Sequence, residues 1–282
     1  MKIIEKKSEL SVFLDTYRKN KNKTGFVPTM GALHAGHLSL VSQSVDSCDV
    51  TIASIFVNPT QFNDPRDLEK YPRTLDKDLE MLEKAGCDVV FVPSVEEMYP
   101  GQDTRVFDMS PLDSVMEGAA RPGHFNGVAQ IVSKLFDAVK PDEAFFGEKD
   151  FQQLAIIRLM CSRMGLNITI TGCPIIREED GLAMSSRNVL LSPDNRKAAP
   201  IIYSAMQKGA LLCGEYSPEL LKQYVTDLIN KEPGLSVEYF EIMDQDTLVP
   251  IVEWSKFVKT RGFAAVKAGS VRLIDNMEFC VS

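Results

Sequence analysis

Phe26-Val27-Pro28-Thr29-Met30-Gly31-Ala32-Leu33-His34-Ala35-Gly36-His37 carries an apolar strand into a helix whose apolar positions continue through Leu38, Leu40, Val41 and Val45. Two of the chain's three histidines fall in this stretch. Residues three apart on the first turn of a helix share a face, so the imidazoles of His34 and His37 meet. Gly31 and Gly36 let another group approach the backbone. Free amides and the helix dipole there favour an anion. A nucleotide phosphate fits, and paired imidazoles stabilise charge developing on a phosphorus under attack. The pattern points to nucleotidyl transfer, although by itself it also fits two surface histidines at a helix cap.

Working outward, apolar β-rich runs at Gly25–Val27, Val50–Val57, Val89–Val92, Ala144–Phe146 and Ile168–Thr171 alternate with helical patterns. The helices are predicted at Leu38–Ser47, Leu75–Ala85, Val128–Val139 and Leu154–Met164. Such βαβ order, with strands almost unbroken in apolar character, predicts an α/β fold built on a Rossmann-like, doubly wound parallel sheet covered on both faces. Sheets of this kind bind ligands beyond the carboxyl ends of their strands, where strand order reverses. His34 and His37 fall at that edge. From about Ile176 the pattern changes to a polar loop, Arg177–Arg187, then helices at about Asn195–Leu212 and Glu219–Ile229 and strands at Val237–Ile242 and Val271–Leu273. Lacking βαβ order, this reads as a second, smaller α+β domain. The predicted division is therefore residues 1–175 and residues 176–282.

At 282 residues there is material for one large α/β unit and a smaller one. Hydrophobic content of 44% and charged content of 25% are ordinary globular values. No apolar run reaches the roughly 20 residues that span a bilayer, so no membrane partner is expected. Met1 to Lys7 carries charge where a signal peptide needs its apolar segment, which makes a cytoplasmic location the expectation. A net charge of −8 without a basic run argues against a broad nucleic-acid surface, while a local pocket for a small anion remains compatible. The six cysteines form no CxxC pair and no zinc-site spacing. They read as buried thiols, with a cysteine nucleophile as the alternative, and nothing in their spacing demands a disulfide.

Further motifs sit at strand ends. Asn58-Pro59-Thr60-Gln61-Phe62 follows the second strand. The Gln61 amide both donates and accepts, as a substrate bearing hydroxyl and carboxylate requires, or it satisfies its own turn. Gly147-Glu148-Lys149-Asp150 lies between a strand and a helix. Lys149 there reaches phosphates as a mobile charge or pairs with Glu148 or Asp150 at the surface, and Asp150 is equally an N-cap. Gln153, further along that helix, points toward the crevice. Met184-Ser185-Ser186-Arg187-Asn188 sets two hydroxyls and a guanidinium in a loop suited to closing over a triphosphate, and the same residues suit a Ser turn. His124, in Arg121-Pro122-Gly123-His124-Phe125-Asn126-Gly127, lines the cavity or caps a helix. Asp76 and Asp78, behind Tyr71-Pro72-Arg73-Thr74, are candidates for a magnesium ion or ordinary first-turn helix charges.

Taken together and in this order, Pro28 to His37, Phe56 to Phe62, Arg121 to Gly127, Gly147 to Asp150 and Met184 to Arg187 resemble the pantothenate synthetase family over nearly the whole chain. HxGH alone marks the wider superfamily of nucleotidyltransferases and class I aminoacyl-tRNA synthetases, whose KMSKS loop is matched in place by MSSRN. The resemblance implies an enzyme that joins (R)-pantoate to β-alanine with ATP, through a pantoyl adenylate, releasing AMP and pyrophosphate. It implies that Met30, Gly31, Ala32, Leu33, His34, Ala35, Gly36 and His37 surround ATP, with His34 and His37 at the phosphates and His37 the proton donor. By the same resemblance, Gly147, Glu148, Lys149, Asp150, Ile176, Met184, Ser185, Ser186 and Arg187 complete the nucleotide site. Gln61 and Gln153 hold pantoate, with Gln61 also near β-alanine. Residues 1–175 then bind nucleotide and pantoate and residues 176–282 act as a lid. Family members use magnesium with ATP and are typically homodimers through the amino-terminal domain. An adenylyltransferase acting on a mononucleotide, or a nucleotide-binding sensor without turnover, shares parts of this pattern.

Overall fold

Strand order fixes where a ligand can bind. The computed structural model describes residues 1–254 and 259–279. Its larger sheet contains β1 (Lys2–Ile4), β2 (Thr24–Thr29), β3 (Val50–Ile55), β4 (Val89–Phe91), β5 (Glu143–Gly147) and β6 (Thr169–Cys173). All pairings are parallel and the order is β1-β4-β3-β2-β5-β6. The chain steps from β2 to β3 to β4, then returns to the other side of β2 to add β5 and β6. Strand order therefore reverses between β2 and β5.

Alternation along the strands divides two cores. Phe26, Ile52, Phe91 and Phe146 pack with Leu10 and Leu14 of the helix Lys7–Lys19, Phe136 of the helix His124–Val139 and Leu154 of the helix Phe151–Met164. Their neighbours Val27, Ala53, Val90 and Phe145 pack on the opposite face with Leu40 and Val41 of the helix Ala35–Ser47 and Leu82 of the helix Leu75–Lys84. Each fully buried Leu, Ile or Phe side chain contributes about 1.5–3 kcal/mol over exposure. Strands apolar on both sides are what a sheet covered on both faces requires, and the doubly wound expectation holds.

The chain divides into two compact units, Met1–Glu148 with Gln152–Pro174, and Lys149–Phe151 with the described residues from Ile175 onward. In the second unit β7 (Leu235–Asp244), β8 (Thr260–Ala268) and β9 (Val271–Glu278) form an antiparallel sheet in that order. Met206 of the helix Ile201–Ala210 and Leu221 and Val225 of the helix Pro218–Asn230 share a core with Phe240, Ala264 and Leu273. The single helix expected over Asn195–Leu212 is two, Pro193–Ala198 and Ile201–Ala210, because Pro200 has no N–H to continue the ladder. β1, the helix Lys7–Lys19 and β8 are additions to the elements that the sequence pattern predicts.

Burial pushes the Cys87 thiol up to about 12 and those of Cys161 and Cys173 up to about 11, away from the thiolate a nucleophile needs. Cys48, Cys87, Cys161 and Cys173 are free thiols, and Cys280 lies outside the described residues.

Candidate functional site

β2 ends at Thr29, beside the reversal, and the chain reaches the helix Ala35–Ser47 through a turn at Gly31 (φ 80°) and Ala32 (φ 49°). Both lie in the left-handed region, which strains an alanine. Asp78, 1% exposed, over-determines that geometry from the helix Leu75–Lys84. Its carboxylate accepts from Ala32 N at 2.9 Å, Leu33 N at 2.8 Å and Thr74 Oγ1 at 3.1 Å. Gly31 is required as well, since a Cβ would lie 3.0 Å from Asp78 Oδ2 and 3.1 Å from Ile55 Cγ2. Asp78 is thus a clamp on the turn, with both oxygens committed to it, rather than a free metal ligand.

His34 is the N-cap of the helix Ala35–Ser47. Its Nδ1 accepts from Gly36 N at 3.1 Å, its own N–H donates to His37 Nδ1 at 3.4 Å, and the ring centroids are 4.2 Å apart. Because both Nδ1 atoms accept, each neutral ring carries its proton on Nε2. Two imidazoles thus stand together with the amides of the helix start. That combination stabilises an oxyanion or phosphate.

At the end of the adjacent strand, the turn Pro59–Gln61 brings Gln61 to Met30, with Gln61 Nε2 3.0 Å from Met30 Sδ. Asn58 holds the other end of that amide, donating from Nδ2 to Gln61 Oε1 at 3.1 Å and to Gly127 O at 3.2 Å. Asn58 Oδ1 accepts from Tyr99 OH at 2.7 Å and Thr60 Oγ1 at 3.2 Å, and the residue is 1% exposed. Gln61 alone was the candidate in this motif, yet Asn58 is its buried anchor, and the signal for it in the sequence is an amide between a buried strand and a proline. Gln153 is half-buried on the helix Phe151–Met164. Its neighbour Gln152 is the structural one, accepting from Glu117 N at 3.0 Å and donating to Leu112 O at 2.7 Å and Val115 O at 2.9 Å. Gly147 ends β5 and Glu148 opens the short turn after it.

The remaining candidates group with the second unit. Lys149 O accepts from Asn276 Nδ2 at 2.9 Å, and Asn276 Oδ1 accepts from Arg261 Nη1 at 2.6 Å. Arg261 also stacks on Phe151, 4.3 Å from the ring centroid. The Lys149 ammonium lies 3.9 Å from Asp150 Oδ2, a separation at which a surface pair contributes little. Ile176 and Met184 are brought together, Met184 N donating to Ile176 O at 3.0 Å. The Ser turn forms too, with Ser185 Oγ accepting from Arg187 N at 3.2 Å. Ser186 lies within that turn. Arg177, next to Ile176, grips Asp275 through Nη1 at 2.6 Å and Nη2 at 2.9 Å and stacks 3.6 Å from the Tyr203 ring centroid.

The pantoate-β-alanine ligase family model matches residues 2–278. The chain belongs to the pantoate-β-alanine ligase family. Pantothenate synthetase of Porphyromonas gingivalis is 53% identical over 279 residues, covering 99% of each chain. That of Bacteroides fragilis is 54% identical over 279 residues with the same coverage. Among solved structures, pantothenate synthetase from Thermus thermophilus superposes with a TM-score of 0.91 at 42% identity, covering 99% of this chain and 100% of that one. Pantoate-β-alanine ligase from Francisella tularensis, complexed with β-γ ATP and β-alanine, gives a TM-score of 0.83 at 35% identity, covering 99% and 97%. The family resemblance read from the motifs is borne out, and so is the two-sheet α/β architecture.

Proposed function

We propose that this ligase condenses (R)-pantoate with β-alanine at the expense of ATP. A carboxylate is a poor electrophile for an amine, so it is first activated. A pantoate carboxylate oxygen attacks the α-phosphorus in line, the bond to pyrophosphate breaks, and pantoyl adenylate forms. The free amine of β-alanine then attacks the pantoyl carbonyl, AMP leaves with the electron pair of the broken C–O bond, and the nitrogen gives up one proton to solvent. Such chemistry needs positioning and charge stabilisation more than a protein nucleophile.

In this reading Met30 to His37, Gly147 to Asp150, Ile176 and Met184 to Arg187 bind ATP, and His34, His37 and Lys149 stabilise the charge that builds on the transferring phosphoryl group. Gln61 and Gln153 hold pantoate, and residues 176–282 act as the lid that excludes water from the adenylate. The observation that carries the reading is the pair of imidazoles 4.2 Å apart at the start of the helix that follows β2. Magnesium accompanies ATP as part of the co-substrate. Asp78 is committed to the Ala32–Leu33 turn, and among the described residues no three His, Cys, Asp or Glu side chains gather as a metal cage. A homodimer in the cytoplasm, without a nucleic-acid or membrane partner, completes the proposal; no described helix is long and apolar enough to cross a membrane.

Oxygen-18 in the pantoate carboxylate tests the order of steps. The expected result is one labelled oxygen in the AMP released after β-alanine is added, together with pantoate-dependent exchange of pyrophosphate into ATP. Label confined to pyrophosphate, or exchange that requires a mononucleotide in place of pantoate, overturns the proposal.

A further inference from the structure

The amide of Gln61 is useful to a substrate only if its turn is held still, and its partners on the neighbouring helix show how that is done. The turn Pro59–Gln61 ends in extended backbone at Phe62, so the Gln61 carbonyl has no helix to continue into. It is taken up instead by His124, the first residue of the helix His124–Val139, and by Arg121, which closes the preceding helix Met116–Ala120. His124 Nδ1 lies 2.8 Å from Gln61 O and Arg121 Nη2 donates to the same oxygen at 3.4 Å.

These contacts settle the chemistry of the ring. A carbonyl only accepts, so Nδ1 carries the proton. Arg121 Nη1 is 3.1 Å from His124 Nε2, and a guanidinium only donates, so Nε2 is the bare acceptor. His124 is therefore neutral, fixed as one tautomer, and 7% exposed. Glu117, also buried, pairs with Arg121 at 3.5 Å and steadies it. Three residues beyond His124, Gly127 is in backbone contact with the turn: a Cβ there would run into the Thr60 carbonyl. The helix floor at Gly127 sets the height of the turn, and His124 ties down its last carbonyl.

We infer that His124, oriented by Arg121, is the positioning residue that aims the Gln61 amide at the substrate. This rests on the reading of Gln61 as a pantoate ligand. Neither His124 nor Arg121 touches the reacting atoms in this account; both act through the backbone of Gln61.

The test is a double-substitution cycle in the full-length protein, with pantoate KM, ATP affinity in the absence of pantoate, and melting temperature as readouts. His124→Ala is expected to raise pantoate KM about ten-fold, the scale of one lost hydrogen bond, with ATP affinity unchanged. His124→Asn keeps an N–H donor near the position of Nδ1 and is expected to restore most of the loss. Adding His124→Ala to Gln61→Ala is expected to raise KM no further, because residues acting through one group are not additive. Equal losses in ATP and pantoate binding, no rescue by a folded Asn variant, or full additivity with Gln61→Ala overturns the inference alone. A Gln61→Ala variant with unchanged pantoate KM overturns the pantoate reading of Gln61 and the inference with it.

Discussion

Replacing His37 with alanine is expected to slow pantoyl-adenylate formation by roughly 100-fold or more, the scale of removing one preorganised donor from a developing charge. His37 Nδ1 accepts from the His34 N–H, so in the proposed role it is Nε2–H that donates to a phosphate oxygen. Charge on that oxygen grows as the pentavalent geometry is reached, so the bond is stronger in the transition state than in bound ATP. The loss is therefore expected in the rate of a single turnover, followed by rapid quench, with little change in ATP affinity. Lys149→Ala is expected to fall on the same scale, because in the proposed role its point charge acts on the transferring phosphoryl group. His37→Gln carries an N–H near the position of Nε2 and should lose less than alanine. His34→Ala differs in kind, since His34 also caps its helix through Gly36 N. That variant loses about 1 kcal/mol of stability in addition to rate. Near-normal single-turnover adenylation in both His37→Ala and Lys149→Ala refutes the assigned roles.

The sequence makes β2 to β5 readable because strands packed on two faces must be apolar almost throughout, and Phe26-Val27, Ile52-Ala53 and Val89-Val90-Phe91 have no polar side to confuse the pattern. The first site motif is readable for a similar reason: His34 and His37 are local to one helix turn, and their contact follows from spacing. β8 is not readable. Gly262, Ala264, Ala265 and Ala268 lower its apparent strand preference, yet it is the central strand of its sheet. The cause is tertiary, for a Cβ on Gly262 would lie 2.8 Å from the Phe279 ring and 3.1 Å from Phe240. Asp78 could be placed on a first helical turn but not assigned, since the amides it accepts are 45 and 46 residues away. Lys149 follows β5 directly, while the side chain that holds its carbonyl is 127 residues on. Spacing reveals what one turn brings together, and pairings across the chain stay hidden.

The second large effect concerns the fold of the smaller unit. Arg177→Ala is expected to destabilise that unit by about 3–5 kcal/mol, the range for stripping one partner from a buried ion pair. The Asp275 side chain is 5% exposed and meets Arg177 with both oxygens, while the same guanidinium donates to Gly181 O at 3.1 Å and stacks on Tyr203. Truncation leaves a carboxylate in a site with little water and removes the group that secures the hairpin joining Ile176 to Met184. Burial already pushes the Asp275 carboxyl up, against the opposing pull of Arg177. In the variant that opposition is gone and the folded pKa rises further above the unfolded value of about 3.9. The folded variant then holds a proton that the unfolded chain has released, so its stability falls as pH rises through that folded pKa and recovers on acidification. The gap between variant and parent should accordingly narrow at low pH. The chain's one tryptophan, Trp254, packs against the core of this unit and reports its unfolding by fluorescence. Replacing both partners, as Arg177→Met with Asp275→Leu, leaves no orphaned charge and is expected to cost less than the single truncation. A denaturation midpoint unmoved by Arg177→Ala would show that no contact of this side chain holds the unit together, and a double variant weaker than the single would show that the loss does not come from an orphaned charge.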